Sequence, residues 1–409
     1  MMGFFNHPEG RALLETVREN PDDDAPRLIL SDWIEECDDP DRAEFIRIQI
    51  EAEKHRVRSP DHTRLNERAI ELLRRNIRQW SNGYEIQMPP DVEVNFYGAN
   101  GRYRHGIMAV KTEKTTELNH SNKLGSVLLF RRGFVDEIDL TSLQFCQLES
   151  IDIQPTGPLP ILNLRLHHPH DILSETLSNF VGRLASSPML QRFREISLVG
   201  GFGGTSEEGI RLLTKEPALL EKLAGLSLSE DHIGDQALLQ ILESPVVTKL
   251  RKLQIDDTGC TSAIVDILVR SKRFRGMNSL NLEGIFEDGR GIRTFAVPGL
   301  WPRLQYLHLG GCGLEDMSLK GLMRPGTFPS VELLDLAHSN IQAQSIRELL
   351  MSGALPSLRM LGIGGTPLSL DDVWALRAEF GHCIQFYFPI RGSQIDPTAE
   401  APGPLGRLN

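Results

Sequence analysis

The sequence predicts an α/β solenoid: strand, loop and helix units stacked into a horseshoe, parallel strands on the concave face and helices on the convex face, preceded by a small all-α domain. Three observations predict it. The triplet Leu223, Leu226, Leu228 returns every 27 residues as Leu250, Leu253, Ile255, as Met277, Leu280, Leu282, as Leu304, Leu307, Leu309, as Val331, Leu334, Leu336 and as Leu358, Leu361, Ile363. A second apolar pair, three residues apart, recurs in the same six units: Leu238 and Ile241, Val265 and Leu268, Ile292 and Phe295, Leu319 and Leu322, Ile346 and Leu349, Val373 and Leu376. Residues 1–83, in contrast, follow the helical period alone. Apolar positions in an LxxLxL frame with two-residue alternation make a strand, and a pair at i, i+3 makes one face of a helix. A frame of this kind held at a period between 20 and 29 is that of a leucine-rich repeat.

Within residues 1–83 four apolar faces appear: Leu13, Leu14 and Val17; Leu28, Leu30, Trp33 and Ile34; Phe45, Ile46, Ile48 and Ile50; and Leu65, Ala69, Leu72, Leu73 and Trp80. Asn20-Pro21 must end the first helix, because proline excludes the helical basin for the residue before it. Asp22, Asp23 and Asp24 suit the positive N-terminus of the second helix, in whose first turn Pro26 loses no hydrogen bond. The run reads as a cap; a calcium site would need six or more oxygens on a shaped loop.

The stretch from Asn20 through Ala25-Pro26-Arg27-Leu28-Ile29-Leu30-Ser31-Asp32-Trp33-Ile34-Glu35-Glu36, with Asp39-Pro40-Asp41-Arg42-Ala43-Glu44-Phe45-Ile46-Arg47-Ile48-Gln49, resembles the bacterial repeat-companion domain. It departs from that pattern at Ser31, where alanine is usual, and at Cys37-Asp38, where a glycine is expected. The resemblance covers about the first fifty residues and implies an N-terminal position ahead of repeats, with no active site.

The fourth helix carries Arg56, Arg58, Arg64, Arg68, Arg74, Arg75 and Arg78. Glu67 and Glu71 stand at helical spacing from several of them, so the pattern is that of a solvated, ion-paired face, with nucleic-acid binding as the alternative. Residues 84–133 form an irregular, β-containing connection, in which Val92–Tyr97 and Gly106–Val110 are short strands and Asn100-Gly101 a hairpin signal. Arg131-Arg132-Gly133-Phe134-Val135-Asp136-Glu137-Ile138-Asp139-Leu140 resembles the way such proteins enter their repeats, with Val135, Ile138 and Leu140 as the first triplet. Two loosely spaced units follow, on Ile161, Leu164, Leu166 and on Phe193, Ile196, Leu198, before the 27-residue spacing begins at Leu223. The repeat domain then spans 134–390, closed by Ile384–Phe388 as a cap; the proline- and glycine-rich tail 391–409 has little to bury and is expected to be disordered. A helix-bearing unit of this length resembles the ribonuclease-inhibitor type.

The ninth position of each unit reads Asp231, Thr258, Ile285, Cys312, Ser339 and Thr366, mostly short side chains that can satisfy loop backbone as the strand turns away. Trp301-Pro302, Phe328-Pro329 and Leu355-Pro356 end three of the returns, since proline stops a helix ahead of the next strand.

Net charge is −11, from 44 Lys and Arg against 55 Asp and Glu, which disfavours the phosphate backbone as main partner. Five scattered cysteines without a CxxC spacing fit a reducing compartment. Neither a signal segment nor an apolar run of membrane-spanning length is found, so a cytoplasmic protein with no membrane association is expected. His167-His168-Pro169-His170 is a sparse metal candidate, with only Asp171 beside it. Gly200–Ser206 lacks the lysine of a phosphate loop. No nucleophile, base or cofactor signature is present, so neither catalysis nor a cofactor is expected.

Partner recognition is therefore expected on the sheet wall. The third, fifth and seventh positions of the frame alternate away from the core, and from them Lys252, Gln254, Asp256, Asn281, Glu283, Tyr306, His308 and Asp335 are the candidate partner-binding residues. The expected function is a protein-binding scaffold with a protein partner of unknown identity; the alternative is nucleic-acid binding through the fourth helix with Arg102, Arg104, Arg131 and Arg132.

Overall fold

The computed structural model describes residues 7–20, 23–37, 39–55, 59–80, 93–97, 106–110, 127–141, 163–167, 193–199, 217–229, 233–256, 258–286, 291–381 and 384–387. The chain divides into two compact units, 1–198 and 199–409.

The first unit opens with four helices, α1 (Pro8–Glu19), α2 (Ala25–Glu36), α3 (Pro40–Lys54) and α4 (Pro60–Trp80). Each carries a proline in its first turn, where the missing N–H would have no partner in any case. Of the acidic run expected to cap α2, Asp23 Oδ1 accepts the Ala25 N–H at 3.0 Å while the N-cap residue Asp24 makes no side-chain cap bond; Asp39 Oδ1 caps α3, accepting the Arg42 N–H at 3.1 Å. Leu14, Val17, Leu30, Ile34, Ala43, Ile46 and Ile50 pack into one core, and Phe134, from outside the helices, completes it.

Phe134 starts β4 (Phe134–Thr141). It follows β1 (Glu93–Tyr97), β2 (Gly106–Val110) and β3 (Val127–Arg131) in an antiparallel meander, and β5 (Asn163–His167) then pairs parallel to β4, with β6 (Glu195–Val199) next in order. The two strands expected between 84 and 126 are present; the connection holding Asn100-Gly101 lies outside the described residues. The β3–β4 hairpin is a feature that the sequence reading did not separate from the first repeat. Its two-residue turn, Arg132 (φ 48°) and Gly133 (φ 88°), has positive φ at both positions, the type I′ geometry whose twist matches paired strands.

That hairpin is held by α3. Gln49 is buried and uses both ends of its amide, donating Nε2–H to the Phe130 carbonyl at 3.2 Å and accepting the Gly133 N–H on Oε1 at 2.6 Å. A side chain at Gly133 would collide with Ile46. One turn further along, Glu53 receives Arg131 Nε–H at 2.8 Å and an Arg132 N–H at 2.9 Å. Arg42 is almost fully buried, its guanidinium carbon 4.7 Å from the Trp80 ring centre and 4.9 Å from that of Phe134. A desolvated cation between two aromatic faces gains about 2 kcal/mol from the ring quadrupoles.

The second unit carries β7 (Gly225–Ser229), β8 (Lys252–Gln254), β9 (Ser279–Asn281), β10 (Tyr306–His308), β11 (Leu333–Asp335), β12 (Met360–Gly362) and β13 (Gln385–Tyr387), parallel and in chain order. Between them come α5 (Pro217–Lys222), α6 (Gly234–Glu243), α7 (Ala263–Arg270), α8 (Ile292–Phe295), α9 (Asp316–Leu322), α10 (Ala343–Met351) and α11 (Leu370–Phe380). All positions of the six LxxLxL triplets and all twelve helix-face positions are buried, so both apolar lists point into one core. The sheet is α/β and parallel, built of repeated strand–helix units as the period predicts.

The repeat is also written in the backbone. The carbonyls of Ala224, Arg251, Asn278, Gln305 and Glu332, one per unit, each accept two consecutive N–H groups from the next strand, as Asn278 does from Gln305 at 2.8 Å and Tyr306 at 3.0 Å. Thr258 and Thr366, at the ninth position, return their hydroxyls to Ile255 and Ile363 carbonyls, while the Cys312 thiol reaches the Leu282 carbonyl of the preceding unit. Ile285, the exception, is buried next to Phe286, and the helix that follows shrinks to four residues. Phe286, Phe295, Trp301 and Phe328 fill that space, with Phe295 and Trp301 ring centres 4.9 Å apart and the Trp301 indole N–H on the Phe295 carbonyl. The prolines that end the returns also join units: Ser330 and Ser357 donate to the Pro302 and Pro329 carbonyls, each at 2.8 Å.

Two stability measurements check these interactions. Burial alone would raise the Glu53 carboxyl, but Arg131 and Arg132 outweigh it and hold it below its ordinary value of 4.5. A depressed carboxylate contributes stability above its unfolded value, lost as pH falls through its folded one. Glu53→Gln should cost about 1.5–3 kcal/mol in urea unfolding at pH 7, with the gap to the wild type closing below about pH 4. Leu307→Ala, in the middle of the second core, should cost about 2–5 kcal/mol by the same measurement.

Candidate functional site

Register turns the frame positions of the second unit into columns across the sheet. Lys252, Ser279, Tyr306 and Leu333 lie side by side in one, and Gln254, Asn281, His308 and Asp335 in the next. Two positions after the second column come Asp256, Glu283, Gly310 and Ala337. The eight candidate residues are thus brought onto one sheet face, as alternation predicts.

Their exposure differs from the expectation. Gln254, Asp256, Asn281, His308 and Asp335 are all buried, while Lys252 and Glu283 are half-buried and Tyr306 alone is exposed, at 37%. Strands about 4.8 Å apart flank every side chain of a column on both sides, and here the flanking groups bond to one another. Asn281 Nδ2–H donates to Asp256 Oδ1 at 3.2 Å, and His308 Nδ1 lies 3.4 Å from Asp335 Oδ2. The second column also serves its own chain exits: Asn281 Oδ1 accepts the Glu283 N–H at 3.0 Å, and Asp335 Oδ1 accepts the Ala337 N–H at 2.9 Å. A carboxylate or amide at the fifth position therefore closes a turn two residues on, the local bond for which Asp and Asn are suited.

Around Tyr306 and His308 the surroundings become small. Gly310 and Ala337 follow where the preceding units have Asp256 and Glu283; a side chain built at Gly310 would lie 3.4 Å from the Ala337 carbonyl oxygen. Next to this low floor, His308 Nε2 is buried and has no hydrogen-bond partner among the described residues. Burying such a group unpaired costs about 1–3 kcal/mol. The arrangement offers an exposed phenol, a half-exposed carboxylate and lysine, and an unanswered imidazole nitrogen, which suits binding through hydrogen bonds and aromatic contact. Sequence alternation found the face; the small floor was legible at the seventh position but carried no signal of its own, and depth was not legible.

The other candidates fall as follows. His167 ends β5, its side chain outside the described set, and His168, His170 and Gly200–Ser206 are also outside it; among the described residues no three His, Cys, Asp or Glu side chains are grouped to hold a metal. On α4, Arg68 bonds Glu44 of α3 at 2.8 and 2.9 Å and Glu71 at 2.8 Å, Arg75 pairs with Asp41 and Glu71, and Arg64 with Asp61. Arg131 and Arg132 are taken by Glu53, and Asp24 lies 3.3 Å from Arg132. These pairs form the ion-paired face that the helical spacing predicts. Arg56, Arg58, Arg102 and Arg104 are outside the described residues. No described helix is long and apolar enough to cross a membrane.

No protein-family model matches the chain, and no curated protein does. Among solved structures, it is similar to a protein of Bacteroides fragilis from a structural genomics programme, at 10% identity over 75% of this chain and 93% of that one, with a TM-score of 0.41. It is also similar to a chain of the Rad7 and Elc1 complex of yeast, at 15% identity over 57% of this chain and 71% of that one, with a TM-score of 0.36.

The thiols give a direct check on this burial. Cys260 and Cys312 are buried, and burial pushes both thiols up to about 11. At pH 8 a thiol reagent should modify exposed Cys37 in the native protein and leave Cys260 and Cys312 unmodified until denaturant is added, as read by peptide mass spectrometry.

Proposed function

We propose that this chain is a non-enzymatic interaction scaffold: a repeat-companion domain followed by leucine-rich repeats of the ribonuclease-inhibitor type, bent into a horseshoe whose concave sheet wall binds a protein partner in the bacterial cytoplasm. One observation carries the reading: Tyr306 stands exposed on the same strand as His308, whose buried Nε2 has no hydrogen-bond partner among the described residues. An exposed aromatic ring next to a desolvated polar atom is the composition of a binding hot spot, where burial of the ring and one new hydrogen bond are gained together. Lys252 and Glu283, half-exposed in the two preceding units, supply a polar rim on one side, and Gln254, Asp256, Asn281 and Asp335 hold the wall in place.

The test uses Tyr306→Glu in the full chain as bait for proteins from the native host, with the wild type and an α1 surface variant, Arg11→Glu, as controls. A protein captured by wild type and by Arg11→Glu should be reduced at least tenfold by Tyr306→Glu, with circular dichroism unchanged. Equal capture by all three baits would place recognition elsewhere on the molecule.

A further inference from the structure

The last helix of the second unit differs from those before it. At one position of the repeat the preceding three helices carry Arg293, Lys320 and Arg347; 27 residues on, α11 carries Trp374. In α10 this position faces the next unit, because Arg347 Nε–H reaches Glu379 of α11 at 2.7 Å. Trp374 therefore lies on the flank where a further helix would pack, and among the described residues none follows. Leu370 precedes it by one turn and Ala378 follows by one, so all three share a face. Leu370 is 78% exposed, Trp374 37%, and Ala378 is exposed. A helix at the edge of a stack ordinarily turns a polar face outward; α11 turns out a leucine, a tryptophan and an alanine.

We propose that this face docks against a second copy of the chain through an antiparallel α11–α11 contact centred on Trp374. The helix is complementary to itself about that residue. A two-fold axis through Trp374 sets Leu370 against Ala378 of the second copy, large against small, and Asp371 against Arg377. Asp371 is exposed in the first turn, and Arg377 already lies over the Trp374 ring, its guanidinium carbon 5.5 Å from the ring centre. The other two carboxylates of the helix are held by other bonds: Asp372 completes a capping box with Ser369, and Glu379 accepts from Arg347. Other sequences offered to the face would meet the same tryptophan but not the reciprocal pairs that a two-fold arrangement requires. Two helices of 11 residues bury less than the roughly 800 Å² per partner of a standard interface, so the contact is weak and depends on concentration.

Sedimentation of the full chain over a hundredfold concentration range should show its mass rising from monomer towards dimer. Trp374→Glu should remain monomeric across that range with an unchanged circular dichroism melt. Asp371→Arg and Arg377→Asp should each weaken association several-fold, and the double exchange should restore it. A wild-type chain that stays monomeric throughout, or association indifferent to Trp374→Glu, overturns the proposal, as does a double exchange no stronger than either single change.

Discussion

One backbone carbonyl per unit, shared between two successive N–H groups of the next strand, is the constraint on which the second unit depends. It fixes how far one strand is displaced against the next, and with the strands so fixed the side chains of equal rank must fall into columns. Only then can a 27-residue period put aliphatics against aliphatics six times over. The helix pairs, the prolines of the returns and the serines that bond to their carbonyls all work within the spacing that this shared acceptor sets. Ile285 shows the tolerance of the scheme: a long side chain stands at a position for short ones, the helix that follows is four residues long, and four aromatic rings fill the space.

The first unit uses the opposite strategy, with specific polar contacts in place of repetition. Gln49 reads two backbone groups of the β3–β4 turn, Glu53 binds the two arginines at its corner, and Phe134 is inserted from the first strand of the parallel series into the helical core. The motif that resembles a repeat-companion domain supplies Arg42, Ile46 and Gln49 of this contact, and Glu53 follows it one helical turn on. The helices and the hairpin consequently form a single core, and the transition from antiparallel to parallel pairing at β4 takes place on a surface that is already packed.

Much of this was legible in the amino-acid sequence, and the reasons for what was not are physical. Periodicity reports which side of an element faces the core, so Leu226, Leu280 and Leu376 could be placed with no structure. It reports nothing of how deep the other side lies. Asn281 and Asp335 looked like surface groups, because polar residues at alternating positions ordinarily are; their burial follows from lateral partners 25 and 27 residues away, a relation that only register reveals. The β3–β4 turn was hidden for another reason. Arg132-Gly133 is a weaker turn signal than Asn100-Gly101, and its arginine tolerates positive φ where Glu53, far off in sequence, holds the side chain. For α11, the sequence already contained the change from cation to tryptophan at position 374, but without the helices in order there was no flank to assign it to.

The aromatic block around Phe295 has a consequence for how the second unit comes apart. In a stack where each unit touches only its neighbours, opening begins at the ends and travels inward, each step costing one interface. Phe286, Phe295 and Trp301 belong to one unit and Phe328 to the next, with the Phe295 and Phe328 ring centres 5.9 Å apart, so these two units are locked across their interface and open together. Amide hydrogens of β9 and β10 are thereby tied into one cooperative block that exchanges late, while α11, with one helical neighbour among the described residues, is left to fray on its own. Among the described residues, the candidate binding wall around Tyr306 and His308 thus lies on a slow-opening segment and the Trp374 face on a fast one.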